Sequence, residues 1–156
     1  MPLEIERKFL VTNNAWQSAT GLAFSQGYLN RDKDRTVRVR VAGDRGFITI
    51  KGATNGATRT EFEYEIPLVD AESLLKMCEG PVIQKIRRIY EYKGFNWEID
   101  EFLGENAGLV VAEIELSSED QFFEKPDWVG QEVTYDPRYF NSNLAKDPYI
   151  HWRERG

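Results

Sequence analysis

The sequence predicts an α+β fold: an eight-stranded antiparallel β-barrel, a tunnel with a charged interior and a few short helices outside. Three observations lead there. Segments of period-two alternation recur along most of the chain. Turn residues at Gly43-Asp44-Arg45-Gly46 and Lys93-Gly94 join neighbouring segments as hairpins, which makes the sheet largely antiparallel. Nearly every segment also carries like charges at i and i+2, all on one face.

The elements follow in order. Residues 4–11 alternate, with Ile5 and Phe9 on one side and Glu4, Glu6 and Lys8 on the other. A second strand is expected over 23–30 and a third over 36–41, where Val37, Val39 and Val41 oppose Arg38 and Arg40. The return strand of that hairpin covers 47–51. Residues 52–58 are small and polar, and read as a mobile loop. In 59–68, Thr60, Phe62, Tyr64 and Ile66 share one face, while Arg59, Glu61, Glu63 and Glu65 share the other. Asp70 is expected to cap a helix that runs to about Cys78 and is stopped by Gly80-Pro81. Residues 82–92 and 95–102 form another hairpin, and 109–116 the last long strand. Short helices are expected from Ser117 or Ser118 to Phe123 and after Asp136-Pro137, with a weaker one around 14–20.

A length of 156 residues fits one domain spanning 1–156. Apolar residues make up 41 % and aromatics 13 %, enough for a packed core. The net charge of −6 argues against a generally basic nucleic-acid surface, so no nucleic-acid partner is expected. No apolar run approaches the roughly 20 residues of a membrane span. The start, Met1 to Lys8, carries charge where a signal peptide has its apolar segment, so a cytoplasmic location is expected. Cys78 is the lone cysteine, which excludes an internal disulfide, and it reads as a small core residue. With His151 the lone histidine, near the C-terminus, a Ser-His-Asp or Cys-His site has little to work with.

The charge pattern carries the functional argument. The like-charged pairs are Glu4/Glu6, Arg38/Arg40, Glu61/Glu63, Lys85/Arg87, Glu98/Asp100 and Glu113/Glu115. An antiparallel sheet often wets one face, and any single pair fits that description. Ordinary wet faces, however, mix charge with Thr, Ser and Gln, and like charges on one face repel. Six such pairs call for counter-charges from outside. Clustered carboxylates suit a hard divalent cation, and clustered Arg and Lys suit a polyanion such as phosphate. With Lys8, Lys51, Arg59 and Glu65, the face holds seven basic and nine acidic groups, a net −2 that one divalent ion neutralises and a second turns positive. Such a face suits a metal–polyphosphate complex. Closing about eight strands into a barrel puts it inside. The apolar faces then need cover from helices, from the aromatic tail (Trp128, Tyr135, Tyr139, Phe140, Tyr149, Trp152) or from a second subunit, so a homodimer is possible.

Glu4-Ile5-Glu6-Arg7-Lys8 resembles the ExExK signature of the CYTH superfamily, the triphosphate tunnel metalloenzymes. Further segments match in order: Gln26-Gly27-Tyr28-Leu29, Arg38-Val39-Arg40, Thr49-Ile50-Lys51, Arg59 to Glu63, Lys85-Ile86-Arg87, Glu98-Ile99-Asp100, Glu113-Ile114-Glu115, and Glu132-Val133-Thr134 followed by Asp136 and Arg138-Tyr139. The set spans residues 4 to about 145, and the chain looks most like the short bacterial single-domain members. The resemblance implies metal-dependent hydrolysis of a linear triphosphate, inorganic triphosphate foremost, with Mg²⁺ or Mn²⁺ as cofactor. It implies Glu4, Glu6 and Glu115 as principal metal ligands and Glu63, Asp100 and Glu113 as further ones. Arg38, Arg40, Lys51, Arg59, Lys85, Arg87 and Arg138 would bind phosphates, and Lys8 would position or deprotonate the attacking water. Family members that hydrolyse thiamine triphosphate or cyclise ATP are the rival readings, as is a non-catalytic polyphosphate or nucleotide sensor.

Overall fold

A computed structural model describes residues 3–153. Its strands are β1 (Leu3–Val11), β2 (Gly21–Asn30), β3 (Arg35–Ala42), β4 (Arg45–Gly52), β5 (Thr58–Ile66), β6 (Glu79–Tyr92), β7 (Phe95–Phe102), β8 (Val110–Glu115) and β9 (Val129–Glu132). The α-helices are α1 (Leu68–Leu75), α2 (Asn141–Lys146) and α3 (Tyr149–Trp152). Strands pair antiparallel in the order β5-β4-β3-β2-β6-β7-β8-β1, and β1 returns to β5 through Leu3–Thr60 and Ile5–Thr58, so eight strands close. β9 is a ninth, outside the ring. It pairs with the later half of β1 at Phe9–Glu132 and Val11–Val129.

Alternation assigns each strand an inner and an outer face. The outer face of β1, β7 and β8 packs Phe9, Trp97, Ile99, Ala112 and Ile114 against Trp16, Leu116 and Trp128. The segment 116–128 therefore supplies the cover that this face needs. Ser117 and Ser118 do not start the expected helix there. The Ser117 amide donates to Gln121 Oε1 and the Ser118 hydroxyl to Asp120, making a turn. The chain then runs extended and lays Phe123 edge-on to Phe9, Phe95 and Trp97. A helix of that length would carry too few apolar positions to cover the same area.

The inner face is not charged throughout. Tyr28, Ile83, Phe102, Leu109 and Val111 lie toward one end of the barrel and pack with Val133, Tyr139, Leu144, Ala145 and Trp152 of the tail. Of the aromatic tail residues, Tyr135 stays exposed. α1 packs on β3 and β4 through Ala71, which is fully buried. Gly46 permits that approach, because a Cβ there would lie 2.6 Å from the Ala71 Cβ.

Two boundaries differ from the sequence-based expectation. α1 begins at Leu68, with the Pro67 carbonyl accepting from Asp70 and Ala71, so Asp70 sits in the first turn and is not the cap. There it still opposes the helix dipole. Gly80-Pro81 does not stop that helix: it falls inside the first residues of β6, where Gly80 takes φ +72°. At the end of the 52–58 segment, Glu119 accepts from the Ala57 amide and the Thr58 hydroxyl.

Candidate active site

The charged inner faces enclose a cavity of about 230 Å³. Its walls carry Lys8, Arg38, Arg40, Lys51, Arg59, Lys85 and Arg87, together with Glu4, Glu6, Glu61, Glu63, Glu98, Glu113 and Glu115. Strand register brings them together. Glu6 faces Glu115 and Lys8 faces Glu113 across β1 and β8; Glu98 faces Glu113 across β7 and β8. Arg87 faces Asp100 across β6 and β7. The tail adds Thr134, Phe140, Asn141 and Ser142 to the wall.

Glu6, Glu98 and Glu113 form the tightest carboxylate group, each offering an oxygen within 4.8 Å of the others. Burial pushes the Glu98 carboxyl up to about 7, with Glu113, Glu6 and Asp100 adding to the rise against Arg87. Burial, Glu4 and Glu6 likewise raise Glu115. Lys8 Nζ donates to Glu6 Oε1 at 3.0 Å and to Glu113 Oε1 at 2.8 Å. Burial opposes its charge, but Glu113 and Glu6 outweigh it and lift Lys8 above the usual lysine range.

The cations divide by partner. Lys51 pairs with Glu4 at 2.9 Å and Glu61 at 3.3 Å. Arg38 donates to Thr49 and reaches Glu63 at 3.5 Å, while its buried Nε has no partner. Lys85 donates to Asp100 at 2.7 Å and Arg87 grips the same carboxylate through two nitrogens at 2.8 Å each. Arg40 and Arg59 form no ion pair with a carboxylate among the described residues. Arg59 donates to the Gly52 carbonyl and Arg40 to Gln26 Oε1. Burial, with Arg38 and Arg87 nearby, pushes the Arg40 guanidinium down to about 9, still charged at neutral pH.

Two of the residues expected from the sequence lie off the cavity wall. Asp100 is fully buried, and both its oxygens are taken by Lys85 and Arg87. Those two cations hold its carboxyl down to about 2 even though burial opposes them. It therefore fixes cations, and a metal would have to displace them. Arg138 is exposed, pairs with Asp136 at 2.8 Å, and stands over Trp152 and Tyr139. Asp136, which opens the turn after β9, also accepts from the Arg138 amide. Arg138→Ala should accordingly change kcat/KM for inorganic triphosphate by less than about twofold. A tenfold loss in steady-state kinetics would return Arg138 to the site.

Conversely, Glu98 completes the carboxylate group although it was not among the expected ligands. Its charge pattern with Asp100 was visible. That Glu98, and not Asp100, meets Glu113 depends on the β7–β8 register, which no local signal encodes.

The closed antiparallel barrel thus holds clustered carboxylates beside Arg40 and Arg59, which form no ion pair with a carboxylate among the described residues. The chain belongs to the CYTH domain family, whose model matches residues 2–148. It is 54 % identical over 156 residues to the inorganic triphosphatase of Acetivibrio thermocellus, covering 99 % of this chain and 100 % of that one. It is 38 % identical over 148 residues to the inorganic triphosphatase of Nitrosomonas europaea, covering 91 % and 96 %. Among solved structures, the crystal structure of an inorganic triphosphatase superposes with a TM-score of 0.67 at 36 % identity, covering 93 % of this chain and 95 % of that chain. A Pyrococcus horikoshii protein at 21 % identity and TM-score 0.58, covering 74 % and 80 %, shares the fold.

Proposed function

We propose that the chain hydrolyses inorganic triphosphate to pyrophosphate and phosphate, using Mg²⁺ or Mn²⁺ held by the tunnel carboxylates. One observation carries this reading. A single cavity holds a carboxylate group alongside Arg40 and Arg59, which form no ion pair with a carboxylate among the described residues. Two relatives named inorganic triphosphatases, similar over more than nine-tenths of this chain, support the substrate.

The residues fit a hard divalent cation. Glu6, Glu98 and Glu113 present only oxygen donors, close enough for one ion to be shared. Glu4 and Glu115 stand at the same wall and would complete the ligand set. A cation held there would supply Lewis-acid polarisation of a phosphoryl oxygen and would neutralise developing charge. Arg38, Arg40, Lys51, Arg59, Lys85 and Arg87 supply the remaining neutralisation. Phosphoryl transfer needs alignment and charge compensation more than covalent help. Water attacks the terminal phosphorus in line, the bridging P–O bond breaks, pyrophosphate leaves with the electron pair, stabilised by the arginines, and the water's proton passes to an oxygen of the phosphate that forms. Lys8 keeps its proton between Glu6 and Glu113, so it orients the water by donating a hydrogen bond and does not deprotonate it.

Phosphate release from inorganic triphosphate, ATP and thiamine triphosphate, each with Mg²⁺ or Mn²⁺, tests the reading against the Glu4→Gln variant. Fast release from inorganic triphosphate is expected, lost on chelation and in the variant. Preferential turnover of thiamine triphosphate, or conversion of ATP to a cyclic nucleotide, would replace it with another activity of the family. Tight binding of triphosphate with no turnover would make the chain a sensor.

A further inference from the structure

The inner face of β2 places Phe24 and Gln26 among the cations of β3 and β6. The Phe24 ring is shared by Arg40, Arg87 and Lys85, at 4.7, 4.9 and 5.9 Å from its centroid. Three basic groups thus converge on one ring: Lys85 and Arg87 pair with Asp100, Arg87 also reaches Glu98 at 3.3 Å, and Arg40 has no carboxylate partner among the described residues. Such crowding costs free energy unless an anion arrives.

Two neutral amides manage this cluster. Gln26 is fully buried; its Oε1 accepts from Arg40 Nε at 3.0 Å and its Nε2 donates to Asn141 Oδ1 at 2.9 Å. Asn141 Oδ1 also accepts from Lys85 Nζ at 3.0 Å. Arg40 and Lys85 are therefore linked through Gln26 and Asn141, and Asn141 stands on the cavity wall. A carboxylate in either place would hold a cation as well or better, but would cancel the charge.

We infer that Gln26 and Asn141 are positioning residues, a neutral amide pair that aims Arg40 at a phosphate group of the substrate without neutralising it and seats Lys85 beside it. The inference rests on the proposed triphosphate chemistry and deepens it. It also gives the tail a part in substrate binding, since Asn141 opens α2, beyond the last strand.

Asn141→Asp is the decisive variant. Its carboxylate keeps an acceptor for both Gln26 and Lys85 and adds only charge, so the melting temperature should not fall. KM for inorganic triphosphate should rise about tenfold or more, with kcat changed far less. Gln26→Met, which keeps the length but removes both hydrogen bonds, should raise KM similarly by releasing Arg40. Calorimetric binding of inorganic triphosphate without metal should weaken in parallel.

A merely structural pair would behave otherwise. Gln26→Met would then lower the melting temperature and leave KM alone, and Asn141→Asp would leave both KM and binding within about twofold of wild type. That result overturns the inference while wild-type turnover keeps the proposed function. If wild type fails to turn over triphosphate but binds it, the proposed function fails and the metal-free affinities of the variants still decide the amide pair. Wild type that neither binds nor hydrolyses triphosphate overturns both. Should Gln26→Met fail to fold, KM and metal-free binding of Asn141→Asp suffice to uphold or overturn the inference.

Discussion

Glu113→Gln should lower kcat/KM for inorganic triphosphate by about a thousandfold. Glu113 is the acidic residue on which most of the site converges. It belongs to the close carboxylate group with Glu6 and Glu98, accepts from Lys8 at 2.8 Å, and lies 3.8 Å from Arg87. Glutamine has nearly the same shape, so the fold should survive. What disappears is a full negative charge where the cation would be held, together with the charge that keeps Lys8 in place. A loss of several kcal/mol of transition-state stabilisation corresponds to about three decades in rate. Raising the Mg²⁺ or Mn²⁺ concentration should recover part of it, because weaker metal binding is one component of the defect. Rates within threefold of wild type across a metal titration would remove Glu113 from the metal centre.

Asp100→Asn should cost about 3–5 kcal/mol of stability, measured by urea unfolding at neutral pH. The side chain is fully buried between Lys85 and Arg87, and the change leaves both cations inside with no full counter-charge between them. The defect should depend on pH with a definite sign. The folded carboxyl titrates near 2 against an ordinary 3.8, so its contribution is fully present above about 3.8 and is lost as pH falls toward 2. The gap between wild type and Asp100→Asn should therefore narrow below pH 4. A gap that stays constant from pH 7 to pH 2 would show that the ion pairs do not hold this part of the barrel.

The closed barrel and its charged lining were legible because two local signals coincide. Period-two alternation selects a face, and like charges at i and i+2 mark that face as unusual. Glu4, Glu6 and Lys8, Arg38 and Arg40, and Glu113 and Glu115 show both, and all lie on the inner wall. Less legible was everything set by register or by the tail. Asp100 and Glu98 look alike in the sequence, yet one is locked by cations and the other joins Glu6 and Glu113. Arg138 follows strand β9 and carries the right charge, but the turn that Asp136 opens directs it to the surface. Gln26 and Asn141 are neutral, and a search for charge passes over them. The extended path of 116–128 was hidden because Ser-Ser followed by acidic residues reads as a helix start, while tertiary burial of Phe123 and Trp128 decides otherwise.

β1 is the strand on which the ring closes. Its first residues pair with β5, its middle with β8, and its end with β9, more than a hundred residues away along the chain. Contacts of such long range form late, since each closes a loop of most of the polypeptide. Glu4 meets Lys51 and Arg59 through β4 and β5, whereas Glu6 and Lys8 acquire Glu115 and Glu113 only when β8 pairs with β1. A chain without β8 has no Glu113, and Glu6 and Glu98 then lack the third member of the carboxylate group. Assembly of the site is then a single late event, coincident with barrel closure. The close carboxylate group is complete only when the ring is.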